Sequence, residues 1–465
     1  MKRLVVIPAD STEALVKAGY TYEFLENYYN PGGGFDQVYC LGAAEKDMKT
    51  GSVCYVNAKP KDFGAIIRRV NPDIVRAYGG YSSSDWAAAN CIKDIPLVVS
   101  VHDTNPNLIY GSLKYADYII CMSEGVKKEV QKQIKIGKDR IFVMPNRIDT
   151  KVFCKREDQE AFRALNQKYG NGKHIIHVGR KAEQKNLDTL IRSLTYLPEE
   201  YSAVFIGRGD TEPYEKMAEK YEVSGRCFFV DRVKNEKLPI YYSWGDCMCT
   251  PSRWEGFGIV FLEAAACECA IVTSNIAPMN EYLTDGADAI LIDQYEDPKV
   301  LAEGIMRACI GGKKRMEMKK NARNISLKFD KSNVDRQEME LYKKFMQQGT
   351  DNRKFFEVEK ERERLTKKLI IFGAGTNGRR LLEYVGKDKV AYFCDNRKTK
   401  IPGRGYTCGV KIISYSEMIK IYKDYNIVVT PMDKKEMVMQ LMGDGIEYME
   451  DGWYRLLNEQ KAQSQ

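Results

Sequence analysis

Arg253-Trp254-Glu255-Gly256-Phe257-Gly258-Ile259-Val260-Phe261-Leu262-Glu263 follows the short apolar run Cys247-Met248-Cys249-Thr250 and leads into Ala264-Ala265-Ala266. Strand, glycine-containing loop and helix in that order make one unit of a parallel α/β sheet. Gly256 and Gly258 let a ligand approach the backbone closely. The N–H groups of Ile259 and Val260 are the unpaired donors of a helix start and suit an anion. Glu255 lies in the loop and Glu263 in the helix, so one carboxylate can take a sugar hydroxyl and the other a ribose diol. A plain turn with two solvated glutamates would use the same residues, but the strand-end setting favours the ligand-binding reading.

The same alternation extends in both directions. Strand candidates upstream are residues 4–7, 37–40, 74–77, 97–101, 118–122 and 141–144. A second series covers 174–178, 203–206, 227–229, 247–250, 270–273 and 289–292, and a third covers 368–372, 390–394 and 426–429. Strands apolar throughout and separated by helical stretches indicate parallel sheets covered on both faces. We expect an α/β chain of three Rossmann-like units: residues 1–165, 166–350 and, after a charged helical linker at 351–367, a small unit at 368–465. A length of 465 residues is too much for one core. A composition of 44% hydrophobic and 29% charged residues is that of an ordinary soluble protein. Residues 2–8 turn polar too soon for a signal-peptide core, and no apolar run is long enough to span a bilayer. Thirteen cysteines without a CxxC pair read as free thiols of a reducing cytosol, and three histidines make no zinc motif. The net charge of +8 is mild and lacks the density of a nucleic-acid-binding stripe.

In open α/β sheets, ligands bind beyond the carboxyl ends of the strands, and the other candidates lie there too. His177-Val178-Gly179-Arg180-Lys181-Ala182-Glu183-Gln184-Lys185-Asn186 places Arg180 and Lys185 after a strand, where cations stabilise a departing diphosphate. His102-Asp103-Thr104-Asn105-Pro106 ends another strand, and Pro145-Asn146-Arg147-Ile148-Asp149 a third. Taken alone, each has a bland alternative: a basic surface turn, a structural histidine, a turn rich in Pro, Asn and Asp.

Together these residues resemble family-4 retaining glycosyltransferases. Glu255 to Glu263 is an E-x7-E arrangement. Gly179-Arg180 with Lys185-Asn186, Pro145-Asn146 with Asp149 and Phe153, Ser123-Glu124, Leu238-Pro239 with Tyr241 and Asp246, and Asn280-Glu281 add to it. The likeness runs from about residue 95 to about 305. It implies the GT-B fold, two facing Rossmann-like domains with the active site in the cleft. It also implies a nucleotide-sugar donor, a UDP-sugar favoured over a GDP-sugar, and retention of anomeric configuration. By carry-over, Arg180 and Lys185 hold the diphosphate. Glu255, Phe257, Gly258, Ile259 and Val260 hold sugar and phosphate, and Glu263 takes the ribose. Arg232 and Val233 line the base pocket, Asn146 sits at a substrate-binding loop, and His102 lies on the acceptor side. Such enzymes need no metal, and the sequence contains no D-x-D. Arg147 stands where the family has Gly, and no glycine-rich loop follows the first strand. A front-face displacement, in which the leaving phosphate takes the acceptor's proton, fits these parts.

Lys368-Leu369-Ile370-Ile371-Phe372-Gly373-Ala374-Gly375-Thr376-Asn377-Gly378 is strand, G-x-G-x-x-G and helix, and Asp395 ends the next strand. This is a dinucleotide-binding fingerprint, with Gly373, Gly375, Gly378 and Asp395 as its residues. The segment resembles the small nucleotide-binding domain of bacterial sugar O-acyltransferases, which suggests a sugar-nucleotide or NAD-like ligand. A scaffold that keeps its glycines for packing is the equal alternative. Two rival functions remain: an NAD-dependent oxidoreductase, lacking a visible Tyr-x-x-x-Lys, and a non-catalytic sugar-nucleotide-binding subunit. The expected setting is a cytoplasmic enzyme of bacterial surface polysaccharide or glycoconjugate synthesis. Its expected partners are a glycan, lipid-linked or protein acceptor and no nucleic acid. Peripheral contact with the inner face of the plasma membrane and a homo-oligomer are compatible with it.

Overall fold

A computed structural model of the chain describes residues 1–17, 19–42, 44–397, 405–430 and 434–463. Three sheets are present. The first contains β1 (Arg3–Ile7), β2 (Gln37–Leu41), β3 (Met48–Thr50), β4 (Val53–Val56), β5 (Ile74–Gly79), β6 (Leu97–Val101), β7 (Tyr118–Cys121) and β8 (Ile141–Val143), in the order β3-β4-β2-β1-β5-β6-β7-β8. The second contains β9 (Lys173–Val178), β10 (Tyr201–Ile206), β11 (Cys227–Val230), β12 (Cys247–Thr250), β13 (Ala270–Ser274) and β14 (Ile290–Ile292), in the order β11-β10-β9-β12-β13-β14. The third contains β15 (Leu369–Phe372), β16 (Val390–Cys394), β17 (Tyr406–Thr407), β18 (Val410–Ile413), β19 (Asn426–Val429) and β20 (Met449–Glu450), in the order β17-β18-β16-β15-β19-β20.

The central pairs are parallel, β1 with β2 and β5, β9 with β10 and β12, β15 with β16 and β19. The antiparallel pairs β3·β4 and β17·β18 lie at sheet edges. β5, β6, β10 and β13 are buried along their whole length, which is why they read as unbroken apolar runs. In the second sheet, one face packs Ile175, Phe205, Cys247 and Val272 against Leu187, Leu190, Leu301 and Ile305 of the covering helices. Each sheet changes direction once in chain order, between β1 and β5, between β9 and β12, and between β15 and β19.

The chain divides into two units. Met1–Ile120, Lys128–Phe142 and Leu341–Gln465 form the first, which holds most of the first sheet and the whole third sheet. Cys121–Lys127 and Val143–Glu340 form the second. The boundary expected at 165/166 falls inside the polar helix Gln159–Tyr169, the whole of which lies in the second unit. The charged segment at 351–367 forms the helix Arg353–Arg364, but one face is buried rather than solvated. Lys354, 3% exposed, donates to Asp117 and to the carbonyl of Ile95 at 3.2 Å. Tyr115 Oη donates to Glu361 at 3.0 Å, and Tyr115 stacks on Trp453 at 5.5 Å. Charge density misleads here because the charges face partners within the unit. No helix among the described residues is long and apolar enough to cross a membrane.

Candidate active site

The second unit brings Lys185, Glu255 and the start of the helix Ile259–Ala266 to the switch point between β9 and β12, the place where open α/β sheets bind ligands. β9 leads into Gly179 and the short 3-10 turn Glu183–Lys185, and β12 leads into Ser252 and Glu255. Lys185 Nζ donates to Glu255 Oε1, and Ser252 Oγ donates to the same oxygen at 2.7 Å. Glu255 is 5% exposed, so the pair is held in a site of low dielectric, where electrostatic effects are large. Gly179 lies beneath this lysine: a Cβ there would sit 3.2 Å from Lys185 Cε. Gln184 links the two loops, its Nε2 donating to the carbonyl of Trp254 at 2.9 Å and its Oε1 accepting from Arg180 Nη2 at 2.9 Å. Arg180 itself is exposed.

Beneath the pair, His177 is fully buried, with Nδ1 3.1 Å from the carbonyl of Cys249 and 3.2 Å from Thr250 Oγ1. Burial, reinforced by Lys185, holds its pKa down at about 3, so the ring is neutral at physiological pH. The cationic charge at this point therefore comes from Lys185 and not from the imidazole.

The helix Ile259–Ala266 starts at Gly258, whose φ is +79°, and its first turn has no side-chain cap. Sequence assigned Gly258 to close ligand approach. The structure adds an internal reason: a Cβ there would lie 2.6 Å from the Phe261 ring, in a backbone region that L-residues avoid. Phe257 stacks on Tyr282 at 5.5 Å, and Tyr282 Oη donates to the Phe257 carbonyl at 3.0 Å. Glu263, 8% exposed, accepts from Tyr242 Oη at 2.9 Å. Burial outweighs that hydrogen bond and pushes its carboxyl up to about 7.

The other carried-over residues fall around this centre. Ser123 Oγ donates to the Gly256 carbonyl at 3.0 Å, and Glu281 accepts the N–H groups of Glu124 and Gly125 at 2.9 and 2.7 Å. Asn146, Arg232 and Val233 are half-buried in loops after β8 and β11. Arg147, the departure from the family pattern, pairs with Asp335 and with Glu338, its Nη2 3.0 Å from Glu338 Oε2. His102 belongs to the first unit, with Nε2 2.8 Å from Ser100 Oγ; burial and Arg76 lower its pKa to about 4. Sequence reading did not single out Ser252, Tyr242 or Gln184, none of which has a motif of its own. In the third sheet, Gly373 has φ +115°, and a Cβ on Gly378 would lie 2.0 Å from the Gly373 carbonyl oxygen. The residue at 378 is thus dictated by packing of helix on strand. Among the described residues nothing lies within 4 Å of a Cβ placed on Gly375, and Asp395 Oδ1 accepts from the Arg397 N–H at 2.8 Å.

Two family descriptions match in succession: Glycosyltransferase Family 4 over residues 10–152 and Glycosyl transferases group 1 over residues 158–325. The chain has the GT-B fold. Among its relatives is a D-inositol 3-phosphate glycosyltransferase of Xylanimonas cellulosilytica, 28% identical over 41% of this chain and 48% of that protein. The O-antigen chain mannosyltransferase RfbU of Salmonella typhimurium is 25% identical over 42% of this chain and 57% of its own length. The chain thus spans about half the length of these relatives. In fold it is similar to the HepE protein of Anabaena in complex with UDP, with a TM-score of 0.59 and 16% identity over 74% of this chain and 100% of that one. Sucrose-phosphate synthase of Thermosynechococcus elongatus gives a TM-score of 0.61 and 17% identity over 74% and 99%. In this GT-B chain, the Lys185–Glu255 pair and the uncapped helix start meet at one switch point.

Proposed function

We propose that this protein transfers a glycosyl residue from a nucleoside-diphosphate sugar, with a UDP-sugar favoured, to an acceptor hydroxyl, with retention and without a metal ion. The observation that carries this reading is the buried Lys185–Glu255 pair at the β9/β12 switch point, beside a helix start without a side-chain cap. In the proposed complex the diphosphate lies against the N–H groups of Ile259 and Val260, with Lys185 and Arg180 as its cations. Lys185 then turns from Glu255 toward phosphate and frees that carboxylate for hydroxyls of the donor sugar. Phe257 and Gly258 shape the sugar subsite, Glu263 takes the ribose diol, and Arg232 with Val233 contacts the base. Asn146 belongs to the substrate loops, and His102 serves the acceptor side as a neutral imidazole.

The reaction breaks the bond from anomeric carbon to phosphate oxygen and forms one to the acceptor oxygen on the same face. The departing phosphate takes the acceptor's proton, so the protein supplies positioning and charge stabilisation. The likeness to an O-antigen chain mannosyltransferase supports surface glycoconjugate synthesis as the setting. The turn at residues 373–378, with Asp395, is a second, independent candidate for a sugar-nucleotide or NAD-like ligand. A thermal-shift series with UDP, GDP, their sugars and NAD(H) tests both, since a ligand of the native state raises the melting temperature by mass action. Loss of the nucleoside-diphosphate shift in Lys185→Ala, and of the additional shift given by the full donor sugar in Glu255→Gln, supports the assignment. Full transferase activity in Glu255→Ala would sink it. A shift that survives these changes places that ligand on the third sheet.

A further inference from the structure

Within the first unit, the third sheet meets the first through a buried polar junction. The helix Asp451–Gln463 runs along the helix Ser82–Ala89. Gly452 lies beside Asp85, where a Cβ would sit 3.5 Å from Oδ2, and Gln460 Nε2 donates to Asn90 Oδ1 at 3.0 Å. Glu450, the last residue of β20, reaches the turn Gly111–Tyr115 and accepts the N–H of Gly111 at 3.1 Å. Lys434, which precedes the helix Lys435–Gly443, places Nζ 3.0 Å from Glu450 Oε1 and 3.9 Å over the ring of Tyr110. Asp85, Ser112, Lys434 and Glu450 are all buried, Asp85 at 2% exposure.

The charges of this junction do not balance. Among the described residues, Glu450 is the anion that acts on Asp85 and Lys434 the cation. On the helix Asp451–Gln463, Asp451 is taken by Arg455, whose Nε lies 2.7 Å from Oδ1. The other titratable groups that face the pair are the phenols of Tyr110 and Tyr448, both pushed up by burial and then by these carboxylates, and hence neutral. One ammonium thus serves two buried carboxyl groups, where uncompensated charge is costly. Lys434 and the Gly111 N–H are both spent on Glu450. Asp85 Oδ1 has no hydrogen-bond partner among the described residues, and neither has Ser84 Oγ beside it in the chain. An ionised Asp85 would leave a buried acceptor unpaired, whereas a carboxylic acid carries no charge and has a hydrogen to donate. Burial first and Glu450 second push the Asp85 carboxyl well above the usual range, against the opposing pull of the Ser112 hydroxyl and Lys434.

We propose that Asp85 keeps a proton in the assembled unit, and that the attachment of the third sheet to the first is strongest while it does and weakens as pH rises. When the helix Asp451–Gln463 lifts away, Asp85 meets water and releases that proton at any pH above about 4. The attached state then binds one proton more than the detached state, and each pH unit favours detachment about tenfold until Asp85 ionises in place. The inference rests on this junction and not on the transferase reading. The test compares the full chain with its Asp85→Asn variant. At about pH 6, above the ordinary carboxyl range, the infrared spectrum of the wild type holds a carboxylic-acid C=O stretch that the variant lacks. Hydrogen exchange follows the amides of Asp451–Gln463, both proteins being compared at the same pH so that intrinsic rates cancel. Between about pH 5 and 7, protection in Asp85→Asn gains on the wild type by about tenfold per unit, while the amides of β9 and β10 exchange alike in both. Glu450→Gln hands Lys434 to Asp85, so the stretch is lost there too and protection changes with pH as in Asp85→Asn. Should Asp85→Asn not fold, Glu450→Gln carries both readouts. Infrared spectra that agree between wild type and variant, or a ratio of protection that does not change with pH, overturn the proposal.

Discussion

Glu263 offers a quantitative handle on the second unit. Its carboxyl is buried, accepts from Tyr242 Oη, and titrates near 7 in place of the ordinary 4.5. A raised carboxyl pKa means the folded state holds its proton more tightly than the unfolded chain does. Below about pH 4.5 both states are protonated and the group has no effect on stability. Above pH 7 both are ionised, and the folded state carries the full desolvation penalty. At 1.36 kcal/mol per unit, the interval from 4.5 to about 7 amounts to about 3 kcal/mol, lost progressively as pH rises. Glu263→Gln keeps an acceptor for Tyr242 and removes the ionisation. The variant therefore melts with the wild type near pH 4.5 and above it at pH 8. For a unit of this size the gap at pH 8 is about 5–10 °C. Calorimetric scans of both proteins from pH 4.5 to 8.5 measure it. Parallel curves across the range, or a wild type more stable than the variant at pH 8, would refute a buried, high-pKa carboxyl. On the proposed ribose role, the same variant binds UDP more weakly, so stability and affinity move in opposite directions.

Three further changes follow from the contacts. Lys185→Met leaves Glu255 buried with Ser252 as its donor and should destabilise the second unit by about 3 kcal/mol, read as a lower urea midpoint. In a glycosyl-transfer assay the same variant should lose about a thousandfold in kcat/KM if Lys185 stabilises the leaving diphosphate. Gly258→Ala places a methyl against Phe261 at positive φ, which should lower stability by about 1–3 kcal/mol in chemical denaturation. An unchanged midpoint would mean the loop relaxes without strain. Arg147→Gly, which installs the family's residue, strips the cation from Asp335 and the buried Glu338 and should lower the melting temperature, whereas Arg147→Gly with Glu338→Gln should recover part of the loss.

Much of the α/β pattern was legible because parallel strands such as β5 and β10 are buried on both faces and are apolar residue by residue. The strand-end position of Arg180, Lys185, Glu255 and His102 followed from the same pattern. Sequence could not show that Lys185 and Glu255 meet, because they are 70 residues apart and become neighbours only when β9 and β12 pair. Nor could it show what replaces glycine's role at Arg147, whose partners lie about 190 residues downstream on the helix Lys331–Gln348. The segment at 351–367 looked like a solvated linker because hydropathy counts Lys354 and Glu361 as surface residues, whereas Asp117 and Tyr115 receive them in the interior of the first unit. Gly258 and Gly378 show a subtler limit. Motif reading explains a glycine by the ligand it admits, while the Phe261 ring and the Gly373 carbonyl exclude any larger residue with no ligand present.

The first unit is interrupted in the chain: it opens with Met1–Ile120, and Leu341–Gln465 belongs to it as well. On a ribosome this reverses the usual order of assembly. Residues 143–340 have all their partners once translation passes position 340, and their unit can close while the nascent chain is still attached. Asp117 and Tyr115, made long before, wait for Lys354, Glu361 and Trp453 to emerge. The earlier-made part of the first unit is therefore completed only after the second unit can close, and in that interval it leaves uncovered the surface that Lys354, Glu361 and Trp453 later meet.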